Sequence, residues 1–168
     1  MDLYLVRRAR TFRKDLDRWP HDSRRPLTPE GEEEFRLAAR GLARIVPRVD
    51  VILSSHKQRT WQTAEILSEL DSWPAPEPSP VLRAGSRQTS PEKTTLALEG
   101  YAEAKSVALV WPKPRLLAAY LLCGEADGME IKIRKGSVTC IRFDGTPAPG
   151  TGKLHWMLTR EILRYLAA

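Results

Sequence analysis

The apolar positions of this chain recur with two periods, and the alternation between them sets the order of its elements. Residues 2–6 are mostly apolar, as in a parallel strand buried on both faces, and run into Arg7-Arg8-Ala9. Residues 10–27 are polar and contain Pro20 and Pro26, which predicts a long loop of the kind that often carries function. A helix starts at Thr28-Pro29-Glu30, where Thr28 can cap, Pro29 suits the first position, and Glu30, Glu32 and Glu33 face the positive end of the dipole. Phe35, Ala38, Ala39, Leu42, Ile45 and Val46 follow at helical spacing, and Pro47 ends the helix. Val51-Ile52-Leu53 is a short strand leading into Ser54-Ser55-His56. A second helix is predicted over about 57–70, with Trp61, Ala64, Leu67 and Leu70 as its buried stripe.

Residues 71–93 are rich in Pro and Ser and read as a surface excursion with a brief strand at Val81-Leu82. Residues 91–103 read as helical, with Leu96, Leu98 and Tyr101 as packing residues. Residues 107–110 form another buried strand, which Trp111-Pro112-Lys113-Pro114 breaks, and a helix follows through Leu116, Leu117, Tyr120 and Leu121 to Gly124. The tail changes period. Residues 129–133 and 137–143 alternate around Lys135-Gly136, which suggests a hairpin. Leu154 to Leu158 reads as a last strand and Ile162 to Leu166 as a terminal helix. Strands alternating with helices predict a parallel α/β sheet, and no repeat or boundary divides the chain.

Composition narrows the class. With 168 residues, 42% hydrophobic and 29% charged, the chain reads as one soluble domain spanning 1–168. No apolar run is long enough for a bilayer and no secretory leader is evident, so a cytoplasmic location is expected. The 2 cysteines, Cys123 and Cys140, have neither zinc-knuckle nor redox spacing and read as buried free thiols. No set of Asp, Glu and His has metal-site spacing, so neither metal nor cofactor is expected. The net charge of +6 favours anionic partners. Because the basic residues are scattered among acids, as in Arg13-Lys14-Asp15-Leu16-Asp17-Arg18, phosphate, sulfate or a phosphorylated molecule is favoured over nucleic acid.

The candidate chemistry begins at Arg7 and Arg8. Ligands of α/β proteins bind beyond the carboxyl ends of strands, and guanidiniums offer forked donors to phosphate. Three segments then line up in order. Leu5-Val6-Arg7-Arg8-Ala9 resembles the "LVRHA" opening of the histidine phosphatase superfamily. Arg25-Pro26-Leu27-Thr28-Pro29-Glu30-Gly31 is similar to the "RPLTxxG" segment of its SixA-type phosphohistidine phosphatases. Residues 54–64, from Ser54-Ser55-His56 through Arg59 to Gln62-Thr63-Ala64, are similar to "SSPxxRAxQTA". The resemblance is strong over about residues 2–70 and weaker to the end. With the pattern of elements, it implies a three-layer α/β/α sandwich with a mostly parallel central sheet and an antiparallel C-terminal hairpin.

In that family a histidine at the end of the first strand attacks phosphorus, two arginines clamp the phosphoryl oxygens, and a second histidine in a "GHxP" turn assists. Carried over by motif, Arg7 and Arg59 match the clamp and Arg25 reaches the pocket mouth. The nucleophile position holds Arg8. The "GHxP" turn aligns with Trp111-Pro112-Lys113-Pro114, which puts Pro112 at the second histidine. Arginine keeps its proton and offers phosphorus no lone pair, and proline has no side-chain donor. The resemblance therefore implies a pseudophosphatase that binds phosphate or a phosphorylated group through Arg7, Arg8, Arg25 and Arg59 without turning it over. Such a pocket needs a counter-anion or a nearby carboxylate.

Two other readings stay open. One is an active phosphohistidine or phosphoester phosphatase with a rearranged site, for which His56 is a displaced nucleophile or His21 a general acid or base; His155 reads as structural. The other is an interaction module for protein or nucleic acid, using the basic face and exposed segments at Trp73 and Trp111. Against all three stands the possibility that Arg7 and Arg59 merely pair with internal carboxylates.

Overall fold

The structure, a computed structural model, describes residues 1–82 and 90–168. The part of the expected surface excursion at residues 83–89 lies outside the described residues. Strand β1 (Asp2–Arg7) forms where the apolar run predicts it, with Leu3 to Val6 all buried. The loop that follows is organised by its own side chains. Thr11 bridges to Leu27, a 3-10 turn spans Asp22–Arg24, and the Arg18 guanidinium lies 4.7 Å from the Phe12 ring and 4.5 Å from Trp19.

Helix α1 (Pro29–Ile45) begins as its capping residues dictate, with the Gly31 N–H donating to Thr28 Oγ1 at 3.0 Å. Phe35, Ala38, Ala39, Leu42 and Val46 are buried, whereas Ile45 is exposed because it sits on the flank of the stripe at the last turn. Strand β2 (Val51–Ser54) leads to α2 (Gln58–Ser68). The buried face of α2 is Arg59, Thr60, Thr63, Ala64, Ile66 and Leu67. Trp61, expected in that stripe, is half-buried and donates its indole N–H to Glu65 on the same helix. Thr63 takes the inward position instead, because its hydroxyl is satisfied by the Arg59 carbonyl at 2.8 Å.

Strand β3 (Pro76–Pro78) pairs with β2 at the sheet's edge, where proline's missing N–H does little harm. Val81-Leu82 belongs to a 3-10 turn, Pro80–Leu82, and not to the expected strand. Helix α3 (Pro91–Leu98) continues as a 3-10 turn to Tyr101. Leu98 is buried, but Leu96, expected to pack, faces solvent. Strand β4 (Ser106–Trp111) precedes α4 (Arg115–Cys123), which stops at Gly124 with φ of 86°, a left-handed conformation that glycine adopts freely. Strands β5 (Val138–Arg142) and β6 (Lys153–Leu158) and helix α5 (Arg160–Leu166) complete the chain.

The six strands form one sheet in the order β3-β2-β4-β1-β5-β6. β3, β2, β4 and β1 run parallel; β5 is antiparallel to β1, and β6 to β5. The C-terminal hairpin is therefore real, but its arms are β5 and β6. Residues 129–133, expected as the first arm, form no strand, since β1 and β6 already occupy both edges of β5. The alternation there has another cause: Ile133 is buried and Ile131 partly buried against a core.

Each face of the sheet carries its own core. On one, Tyr4, Val6, Ile52 and Val110 meet Phe35, Leu42, Ala64, Leu67 and Leu163 from α1, α2 and α5. On the other, Leu3, Leu5, Leu53 and Leu109 meet Leu98, Leu117 and Leu121 from α3 and α4. The result is the three-layer α/β/α sandwich. Trp73 and Trp111, expected on exposed segments, are both buried, and the Trp73 indole donates to the Val46 carbonyl at 3.2 Å. Of the two free thiols, Cys140 is buried but Cys123, at the end of α4, is exposed. No described helix is long and apolar enough to cross a membrane.

Candidate anion-binding site

Because β1, β2 and β4 are parallel, their carboxyl ends meet at one edge of the sheet. β1 ends in Arg7 with Arg8 next, the segment from Ser55 to Arg59 follows β2, and Pro112-Lys113 follows β4. Register makes the meeting closer still. Arg7 pairs with Trp111, and the Arg8 N–H donates to the Trp111 carbonyl at 3.4 Å, which sets Arg8 beside the buried Pro112. The turn before β5 closes over this end: the Gly136 N–H, at a φ of 73°, donates to the Arg7 carbonyl at 2.9 Å and the Arg8 carbonyl at 3.1 Å.

Each predicted arginine has a distinct tether. Arg7 donates from Nη1 to the Ile133 carbonyl. Arg8 donates from Nη1 to the Ala9 carbonyl at 2.9 Å and to Thr11 Oγ1 at 3.2 Å. Arg25 reaches the same Thr11 hydroxyl at 3.0 Å and the Phe12 carbonyl at 2.6 Å, so Thr11 joins Arg8 to Arg25. Arg59 is almost fully buried. It donates to the Asp22 carbonyl at 2.5 Å and to Asp22 Oδ2 at 2.8 Å, while Arg25 Nε donates to Asp22 Oδ1 at 2.9 Å.

The electrostatics follow from this crowding. Arg8 is pushed down to about 10, first by burial and then by the like charges of Arg59, Arg25 and Arg7. Burial also lowers Arg7, and it lowers Arg59 although Asp22 opposes it. Lys57 and Lys135 are lowered by burial and by the neighbouring arginines. Burial resists ionisation of Asp22, but the hydrogen bonds and charges of Arg25 and Arg59 hold its carboxyl below the usual range. Among the described residues, the Nε atoms of Arg7, Arg8 and Arg59 and the hydroxyls of Ser55 and Thr60 are buried without a partner. The unpaired Nε donors of these three guanidiniums suit the oxygens of an anion.

Arg7, Arg8, Arg25 and Arg59 are thus brought together, with Pro112 alongside. Arg59 does pair with an internal carboxylate, whereas Arg7 is held by a carbonyl. His21 and His56 are exposed, and His155 is exposed on β6. No three His, Cys, Asp or Glu side chains cluster as a metal site among the described residues. The residues that the sequence did not single out are Asp22, Thr11, Lys57 and Lys135. Asp22 left one trace, an acid three positions before Arg25 in an otherwise basic stretch.

Residues 3–83 match the sequence model of the histidine phosphatase superfamily (branch 1). No curated protein matches the chain. Among solved structures, the protein histidine phosphatase SixA complexed with tungstate is 23% identical, with a TM-score of 0.80; the match covers 97% of this chain and 99% of that one. Alpha-ribazole phosphatase from Shigella flexneri is 17% identical with a TM-score of 0.72, covering 95% and 97%. A histidine-to-alanine mutant of phosphoserine phosphatase from Entamoeba histolytica, in complex with phosphoserine, is 15% identical with a TM-score of 0.64, covering 95% and 98%. At these identities the likeness establishes a shared fold.

Proposed function

We propose that this chain is a SixA-like member of the histidine phosphatase superfamily that has kept the phosphate clamp and lost the chemistry. It binds phosphate or a phosphorylated group between Arg7, Arg8, Arg25 and Arg59 and does not hydrolyse it. One observation carries this reading. Arg8 stands just past the end of β1, charged and crowded by three further arginines, with Pro112 beside it; on the motif resemblance these two residues stand where the family has its nucleophile and its second histidine. A guanidinium that is still mostly protonated at neutral pH has no electron pair for phosphorus, and Pro112 has no proton to donate. The same guanidinium adds donors and charge for a bound anion. The tungstate and phosphoserine held by the two similar structures support an oxyanion as the ligand class.

The test has two arms. Calorimetry at low salt is expected to show inorganic phosphate or tungstate binding, weakened at least about ten-fold by Arg59→Ala, the loss of one charge-assisted contact. Turnover of a generic phosphoester and of a phosphohistidine-bearing protein is expected to stay at background. Absence of anion binding overturns the clamp. Turnover overturns the loss of chemistry and points to a rearranged site.

A further inference from the structure

Beside the arginine cluster, and sharing Arg7 with it, lies a pocket of about 190 Å³ lined by Arg7, Lys113, Pro114, Arg115 and Ile133. Three of its five walls are cations and none is an acid. Lys113 and Arg115 are both exposed, and the first turn of α4, where Arg115 sits, holds no acid. Among the described residues no carboxylate lies within ion-pair distance of Arg7, Lys113 or Arg115. Stability alone does not explain this arrangement. A cation at the start of a helix opposes the dipole and costs roughly 0.3–1 kcal/mol, and a second cation two residues earlier adds repulsion. Arg7 belongs to both places. It lines this pocket, and its charge is also felt by Arg8 and Lys135 in the cluster.

We infer that Lys113 and Arg115 form a second anion subsite, joined to the arginine cluster through Arg7, so that the ligand carries two anionic groups on one short frame. This rests on the reading of the cluster as a phosphate clamp. The first group is the phosphoryl on Arg8 and Arg59. The second, a phosphate or a carboxylate, lies against Lys113 and Arg115. Pro114 and Ile133 supply an apolar wall for a short hydrocarbon link between the two. Arg7 donates towards both and fixes their spacing.

Isothermal titration at low salt with orthophosphate, pyrophosphate and phosphonoacetate tests this. Pyrophosphate places a second phosphate beyond the first, and phosphonoacetate places a carboxylate there on a methylene. At least one of them is expected to bind about ten-fold tighter than orthophosphate, the gain from one further charge-assisted contact. In Lys113→Ala/Arg115→Ala that preference is expected to fall to within about two-fold. It is expected to persist in Arg48→Ala/Lys105→Ala, which removes two exposed cations at the opposite end of the sheet. Arg115→Glu gives a check against misfolding. It puts an acid at the helix start, so it is expected to keep or raise the melting temperature while abolishing the preference.

If orthophosphate binds but neither larger probe is preferred, or the preference survives loss of Lys113 and Arg115, the second subsite is refuted and the clamp stands. If orthophosphate itself does not bind, the clamp fails and this inference fails with it.

Discussion

At the scale of single residues, Arg8 and Asp22 set the energetics of the site. Arg8 carries its charge into a half-buried position among like charges, and its folded pKa of about 10 lies well below arginine's ordinary value. A lowered base of this kind destabilises the fold at every pH below about 10, and that penalty is relieved as pH rises from there towards the unfolded value. Arg8→Met is therefore expected to raise the melting temperature of the anion-free protein, by roughly 2–4 °C for each kcal/mol recovered. Added phosphate is expected to raise the melting temperature of the natural protein more than that of the variant; thermal scans at neutral pH and low salt check both.

Asp22 works in the opposite sense. Its folded pKa lies below the ordinary 3.8, so the stability it contributes is present above that value and is lost as pH falls through the folded pKa. Asp22→Asn is expected to cost about 1–3 kcal/mol at neutral pH, since it leaves Arg59 and Arg25 without their counter-charge. The gap to the natural protein is expected to narrow below about pH 4 as natural Asp22 protonates. Denaturant midpoints across that range read this out. The same variant is expected to bind phosphate more tightly, because an internal competitor has been removed.

At the scale of elements, packing corrected the pattern wherever two faces were open to an apolar residue. The start of α1 was legible because Thr28, Pro29 and Glu30 act locally. The inward face of α2 was not, because the choice between Trp61 and Thr63 depends on how closely that helix lies on the sheet. Residues 129–133 show the same limit: their alternation records burial of Ile131 and Ile133, and alternation does not name a partner strand. The contact of α1 with α5 is also tertiary. A Cβ on Gly41 would lie 1.8 Å from the Leu163 carbonyl oxygen, so the helices approach through the missing side chain. Gly41→Ala is expected to cost about 1–3 kcal/mol by pushing α5 outward. Phosphate affinity should stay unchanged, since neither helix supplies a clamp residue; chemical denaturation with a parallel titration measures both.

At the scale of the whole molecule, the parallel sheet assembles the site from segments far apart in the chain. Strand register sets Arg8 beside Pro112, the two positions where the proposed reading places the lost histidines. Arg8→His together with Pro112→His is expected to produce phosphoester turnover at least about ten-fold above background, with either single change near background, because groups that act as a unit are not additive. A double variant that still binds phosphate but stays inert would mean that the clamp has drifted from its catalytic geometry.

Consecutive residues were enough to place β1, β2, β4, β5 and β6 and helices α1 to α5, to predict a parallel sheet and to single out Arg7, Arg8, Arg25 and Arg59, but they also suggested strands at Val81-Leu82 and 129–133 that do not form and missed β3. Period, capping and motif spacing are local properties, written in consecutive residues. Long-range folding set the rest: Asp22 neutralises Arg59, Thr11 joins Arg8 to Arg25, and Lys113 and Arg115 line a pocket with Arg7. Those contacts depend on the path of a long loop and on the meeting of three strand ends, and no local pattern encodes the distance between them.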